Sequence, residues 1–487
     1  MSLQLCPPEI IAKALGYLDG YSLAKCRQVC RFFSGIIKGG TQFQYTIESC
    51  KAGMVDAPET FLELSTWERL DKLREFVAQR QGLVTKEQLS QDAVVTFPES
   101  FRGVYHSGVF VVLYENQVGV VHPTDLIGNN SKEKRAVEER RIHIATGDRH
   151  WNAVCVDRDQ DLMIILDGSY HNYEQGLRFD LLSITSGAVH PLASLPFISW
   201  NDIPERPGSL VYQILEDLFV VSEYIAWKGP ALIFNWKTGH RLIEFTGETQ
   251  AFVLLNSKHF LTCTWVSKDQ CELQVHEIDT SKLVIRLSLP RILKKRAYFK
   301  QDEPRMQLCN GALPLPSSSS TLNRQCPYPF YASSEDAIIA LWIQNSTSDS
   351  ITIIRHSDLF DIIHTSKSSV NVKPAPIPWG TWPQATFLFR GQTKPRRMSA
   401  YGRRLAIAAD KEVKVVEFDN RWLKESYATR QANPASFTTV PPPSCVQRIY
   451  VGGQVNDIIL DEDFVVVVAV VMGDRGLSTD KTFIFRV

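Results

Sequence analysis

From Pro7 onward the apolar residues fall at Ile10, Ile11, Ala14, Leu15 and Leu18, a spacing that lays them along one helical stripe. Pro7 and Pro8 suit a first helical turn, where no N–H partner is lost, and Glu9 sits near the positive end of the helix dipole. Asp19-Gly20 is expected to end that helix. A second is expected to start with Ser22 as N-cap and to turn Leu23, Cys26, Val29 and Cys30 inward. A third runs through Phe32, Phe33, Ile36 and Ile37 to Gly39-Gly40. A unit of about 40 residues buries its own apolar side chains poorly, so the surplus predicts a docking surface.

The residues that carry this pattern also carry a resemblance. Leu5-Cys6-Pro7-Pro8-Glu9-Ile10-Ile11, Leu15-Gly16-Tyr17-Leu18-Asp19, Ser22-Leu23 and Cys26-Arg27-Gln28-Val29-Cys30-Arg31-Phe32-Phe33 together resemble an F-box over about residues 3 to 40. Cys6 stands where the family usually has Leu, and Ala14 where a larger aliphatic is common. The resemblance implies binding to the Skp adaptor and, through it, to the cullin of a ubiquitin ligase. It implies docking through Pro7, Pro8, Ile10, Ile11, Leu15, Leu18, Leu23, Val29, Cys30 and Phe33. One stripe faces one way, so these divide between adaptor and internal core, and sequence does not sort them. Phe43 to Asp56 is similar to the segment after the F-box in fungal members of the family.

Ser65-Thr66-Trp67-Glu68 reads as a capping box opening a helix with Leu70, Leu73 and Val77 on one face. Residues 41–90 are therefore expected to form a helical brace between the F-box, residues 1–40, and a domain over residues 91–487. Beyond about residue 90 the period changes to short runs rich in Val, Ile, Leu and aromatics, cut by Asp, Asn, Gly and Ser, which predicts an all-β domain. A unit recurs in which a polar residue precedes an apolar strand. The anchors are Ser107, Asp161, Asp217, His259, Asp336, Arg404 and Asp463, at steps of 54, 56, 42, 77, 68 and 59 residues. Small sheets that cannot bury both faces alone stack radially and close, so the series predicts a β-propeller of seven blades. The steps are longer and less even than WD-type repeats and lack their terminal Trp-Asp, so the likeness is to degenerate propellers. A β-sandwich pair and an irregular β-solenoid remain open on the same pattern.

Composition narrows the chemistry. The chain has 487 residues with 53 basic and 53 acidic side chains, so no global field selects nucleic acid or an anionic membrane. The longest apolar runs, such as Phe464 to Met472, fall short of a bilayer span, and no leader pattern is seen. Ten cysteines without a CxxC pair read as reduced thiols, which fits the cytoplasm or nucleus. Pro- and Ser-rich loops are expected near 292–328, 366–383 and 426–443.

No phosphate-cradling loop, nucleophile elbow or zinc pattern appears, so no catalytic residue, cofactor or metal is expected. Cys263, Cys271 and His276 suit a hairpin better than a zinc site. Glu216-Asp217 and Asp461-Glu462-Asp463 read as turns more readily than as hydrolase carboxylates. The basic runs Arg291 to Lys300, Lys394 to Arg397 and Arg403-Arg404 read as solvated loops. Trp151, Trp200, Trp227, Trp265, Trp379 and Trp382, near turns, are candidate rim residues for holding a partner protein, in competition with core packing. The expected function is that of a non-catalytic substrate receptor of an SCF-type ubiquitin ligase. A scaffold that binds Skp outside a cullin ligase, and a propeller-fold hydrolase, are the alternatives.

Overall fold

The computed structural model describes residues 6–56, 64–84, 93–96, 102–106, 109–113, 117–121, 140–143, 151–167, 176–201, 210–223, 231–245, 249–267, 270–289, 305–311, 330–344, 349–366, 374–379, 381–382, 385–389, 397–409, 411–418, 446–451, 454–460, 464–472 and 478–486. Four helices open the chain: α1 (Pro8–Leu15), α2 (Gly20–Val29), α3 (Arg31–Gly39) and α4 (Thr41–Ala52). Pro sits in the first turn of α1 with Glu9 beside it, as expected. The N-cap of α2 is Asp19 and not Ser22: the Asp19 carboxylate accepts the Ser22 N–H at 2.6 Å, which moves the helix start three residues upstream. Cys30 is fully extended and separates α2 from α3. Ile11, Leu15, Leu23, Ile37 and Phe43 form the unit's core. Gly20 is required there, since a Cβ would lie 2.4 Å from the Thr46 carbonyl oxygen.

Strand β1 (Met54–Asp56) follows, then α5 (Thr66–Val84). The capping box is present: the Ser65 N–H donates to Glu68 Oε2 at 2.8 Å, and the Glu68 N–H donates to Ser65 Oγ at 3.3 Å. Leu70, Leu73 and Phe76 are buried and Val77 is half-buried.

Among the described residues the rest is all-β apart from one helix. Seven four-stranded antiparallel sheets form it. Six lie in chain order within residues 102–143, 151–200, 210–245, 249–288, 305–389 and 397–450. The seventh takes Gln454–Leu460, Phe464–Met472 and Ser478–Arg486, and its fourth strand is Ala93–Thr96 from the start of the domain. Ala93 pairs with Ile484 and Thr96 with Lys481, so the two ends of the β domain share one blade. The first strands of successive sheets touch one another, from Arg102–His106 to Gln454–Leu460, which is the inner ring of a seven-bladed propeller.

The seven sequence anchors correspond one to one with the sheets, but each stands at the start of the second strand: Asp161 before Leu162–Asp167, Asp217 before Leu218–Glu223, Arg404 opening Arg404–Ala409. The inner strands were invisible to that reading. One of them, Arg305–Asn310, lies inside the expected loop 292–328. The expected loop 366–383 is also partly structured. Helix α6 (His356–Ser366) precedes it, Ile377 bridges in parallel to Leu287 on the outer edge of the fourth blade, and Trp382 is buried. Residues 292–304, 312–328, 367–373, 380 and 383 and all of 426–443 lie outside the described residues.

Side chains tie blade to blade. Gln160 Nε2 donates to the Glu216 carbonyl at 2.7 Å, Asn310 Nδ2 to the Leu254 carbonyl at 2.8 Å, and the Leu460 N–H to Ser399 Oγ at 3.0 Å. Within the fourth blade Arg286 clasps buried Glu272 with two hydrogen bonds of 2.7 and 2.9 Å. Beside it, His276 stacks on Phe260 with ring centres 4.9 Å apart, and Phe245 meets it edge-on.

Burial pushes the His276 imidazole down to about 4. Unfolded, the ring takes its proton near 6.5, so as pH falls from there toward 4 the unfolded chain gains a proton that the native state refuses. Stability contributed by this histidine is therefore present above about pH 6.5 and lost below it. His356, also lowered by burial, acts in the same direction. Thermal midpoints of His276→Phe measured across this window should fall less steeply than those of the parent chain; equal slopes would deny His276 this role.

Candidate functional site

The structure sorts the ten expected docking residues. Pro7, Pro8, Ile10 and Val29 are exposed, Ile10 at 58% and Val29 at 69%. Leu18, Cys30 and Phe33 are half-buried, while Ile11, Leu15 and Leu23 belong to the internal core. Those three side chains pack inside the unit. Two aromatics that the stripe did not include, Tyr17 at 82% exposure and Tyr21 at 50%, stand at the turn between α1 and α2. Their sequence signal is two tyrosines flanking a helix cap, where solvent-facing polar residues are the norm.

Below this face the chain is bolted to the propeller. Helix α4 ends at Gly53, whose left-handed backbone (φ +66) turns the chain into β1. There Met54 pairs with Ala332, Val55 with Tyr331 and Asp56 with Phe330, a separate two-stranded ribbon whose second strand lies in the connection between the first and second strands of the fifth blade. The Ser333 N–H donates to the Gly53 carbonyl at 2.8 Å. From the sixth blade, Arg403 donates to the Ala52 carbonyl at 2.7 Å and the Lys51 carbonyl at 3.3 Å, satisfying the orphan C-terminus of α4. Tyr45, Met54, Leu70, Leu73, Phe76 and Phe330 close a core across the joint. At its edge the Tyr45 hydroxyl donates to Asp56, which also receives Arg69 at 2.9 Å. Burial and that carboxylate hold the phenol well above its usual range.

The tryptophan candidates divide as well. Trp200 and Trp382 are packed in the core, 2% and 1% exposed, and offer no face to a partner. Trp265 and Trp379 are half-buried, Trp379 edge-on against Trp382 at 5.2 Å. The Trp151 side chain and Trp227 lie outside the described residues.

Other sequence candidates take structural positions. Cys263 and Cys271 are buried opposite Met306, with Cys263 Sγ 3.2 Å from Met306 Sδ. Asp217 pairs with Lys237 at 2.6 Å, and the Glu216 carbonyl accepts the Trp236 indole at 2.9 Å, as turn residues do. Asp461 to Asp463, Lys394 to Arg396 and Arg291 to Lys300 lie outside the described residues. Of the basic run at 403–404, neither residue is a free cation: Arg403 holds the joint, and Arg404 is buried with its guanidinium over the Tyr401 ring.

Residues 3–40 match the family model for the F-box domain. A search of curated proteins returned no match. Among solved structures, Kluyveromyces lactis Hsv2 is 7% identical, covering 81% of this chain and 97% of its own at a TM-score of 0.39. The N-terminal domain of Nup159 is 8% identical, covering 82% and 92% at a TM-score of 0.35. No function passes to this chain from likenesses of that size.

Two outcomes follow for folding. The double variant Ile10→Asp, Val29→Asp should keep its thermal midpoint, since exposed substitutions cost within about 0.5 kcal/mol, whereas Leu23→Asp should melt the helical unit. Gly53→Ala should destabilise by about 1–2 kcal/mol from the left-handed backbone alone. It adds a further penalty because the new Cβ would lie 2.8 Å from Arg403 Nε, so protease should cut near residue 56 sooner. Thermal melts and limited proteolysis read both, and unchanged cutting in Gly53→Ala would deny the joint its role.

Proposed function

We propose, for a chain whose residues 3–40 are an F-box domain, that it is the substrate-recognition subunit of an SCF-type ubiquitin ligase. The supporting observation is the pairing of an exposed apolar face on the F-box unit with a large propeller joined to it through β1. In this reading the exposed Pro7, Pro8, Ile10 and Val29, with the exposed Tyr17 and Tyr21, meet the Skp adaptor, and the half-buried Leu18, Cys30 and Phe33 complete the contact. Each large aliphatic moved from water into such an interface contributes about 1.5–3 kcal/mol. The inner group, Ile11, Leu15 and Leu23, keeps the helices in place for that contact.

The chain's contribution to ubiquitin transfer is then geometric. A target held on the propeller is kept at a fixed distance from the adaptor, so an encounter between target lysine and ubiquitin-loaded enzyme becomes effectively intramolecular. Catalytic groups belong to the other subunits. The boundaries we assign are an F-box at 1–40, a brace at 41–90 and the propeller at 91–487, with Ala93–Thr96 already part of the last blade.

Co-purification tests the reading. The intact chain should retain a Skp adaptor and cullin. Ile10→Asp, Val29→Asp should weaken adaptor binding by about a hundredfold or more while leaving the fold intact. Because the contact is apolar, that loss should depend little on salt. Adaptor binding undiminished in the double variant would overturn the assignment of the face. Adaptor retained without cullin would overturn the ligase reading in favour of a scaffold.

A further inference from the structure

A cleft of about 740 Å³ opens between the F-box unit, helix α5 and the sixth blade. Five basic side chains line it, Arg27, Lys38, Lys51, Arg74 and Arg403, against two acidic ones, Glu48 and Glu417. In a chain of zero net charge such an excess is a local arrangement. Part of it is spent. Arg74 forms a forked pair with Glu48 at 2.7 and 3.0 Å, and Arg403 is held by the α4 carbonyls with Glu417 at 3.8 Å. Arg27, Lys38 and Lys51 are exposed and make no ion pair among the described residues. All three sit in the last turn of a helix, Arg27 in α2, Lys38 in α3 and Lys51 in α4, where the dipole favours a cation, and all three line the same space. The surface between the cations is apolar, from the half-buried Ile47 and Val77.

We propose that this cleft binds an acidic peptide segment of a partner protein, one in which carboxylates alternate with aliphatic side chains. The chemistry is complementary on both counts. Three cations without partners gain counter-charges in a partly desolvated concavity, where ion pairs are stronger than on an open surface, and the apolar floor takes the aliphatic groups. The volume accommodates several residues of extended chain and lies in the usual range for ligand clefts. The inference stands apart from adaptor docking, since none of the three cations belongs to the exposed apolar set. Within the receptor reading, the segment would be part of a target, held on the F-box side of the propeller.

The test uses the purified full chain and a fluorescein-labelled peptide of repeating Glu-Asp-Leu, about ten residues long, followed by anisotropy. Binding is expected to weaken between about 50 and 200 mM salt. The triple variant Arg27→Glu, Lys38→Glu, Lys51→Glu should weaken it by about tenfold or more. The control triple Lys13→Glu, Lys258→Glu, Lys411→Glu makes the same change in net charge away from the cleft and should leave the affinity within about twofold. A peptide of Glu, Asp and Gln should bind less tightly than the Leu-containing one. Equal loss in both triples, meaning attraction by net charge alone, would overturn the proposal, as would no binding to the parent chain. Thermal midpoints of both triples and their adaptor co-purification, read in parallel, separate misfolding and failure of the receptor reading from failure of the cleft. Should the triple unfold, Lys51→Gln alone must lower affinity, or the proposal falls.

Discussion

Everything in this molecule that bears on function depends on three residues of chain pairing with three others. Met54–Asp56 adds to Phe330–Ala332, and without that addition the helical unit would hang from the propeller by a tether. A short two-stranded ribbon is marginal in water by itself. Here it survives because the residues around it are committed elsewhere: Gly53 makes the turn, Arg403 fills the end of α4, and Leu73 and Phe330 bury the ribbon's inner side. The joint is therefore cooperative, with each part cheap only if the others form.

That cooperativity links two constraints usually considered apart. A ring of blades must close, and it closes on Ala93–Thr96, so the chain entering the propeller is fixed in the last blade. The chain leaving the F-box unit is fixed to the connection between the first two strands of the fifth. With both ends held, α5 runs from one anchor toward the other, and its buried face, Leu70, Leu73 and Phe76, is pressed on the joint. The basic cleft beside Arg74 and Arg403 lies where the helical unit and α5 face the sixth blade.

How much was legible in advance follows the range of the physics involved. The helical stripe at Ile10 to Leu18 and the capping box at Ser65 are local signals, and both are present in the structure. The seven anchors were legible because a polar turn before an apolar strand is a local pattern repeated once per blade. Inner strands such as Arg305–Asn310 and Leu210–Leu215 mix polar with apolar residues, because they line the ring's centre as well as the sheet, and no local period marks them. Helix α6, with His, Ser and Asp among its apolar residues, was hidden by the β pattern on either side. The division of the docking residues was illegible for a different reason. Ile10 and Ile11 are neighbours of equal hydrophobicity, and only the packing of α1 on α3 decides that one is inside and the other in water. Arg403 looked like one more charge in a basic run, since its role is set by a carbonyl some 350 positions away in sequence.

The most direct measurement is native-state hydrogen exchange of the intact chain with increasing denaturant, comparing the amides of Met54–Asp56 with those of Ile338–Gln344 in the fifth blade. If the helical unit and propeller are one mechanical body, the ribbon amides exchange only through the opening that releases the blade, and the two sets merge. Exchange of Met54–Asp56 at the rate of unstructured chain while Ile338–Gln344 stays protected would contradict the account, leaving the F-box unit on a tether.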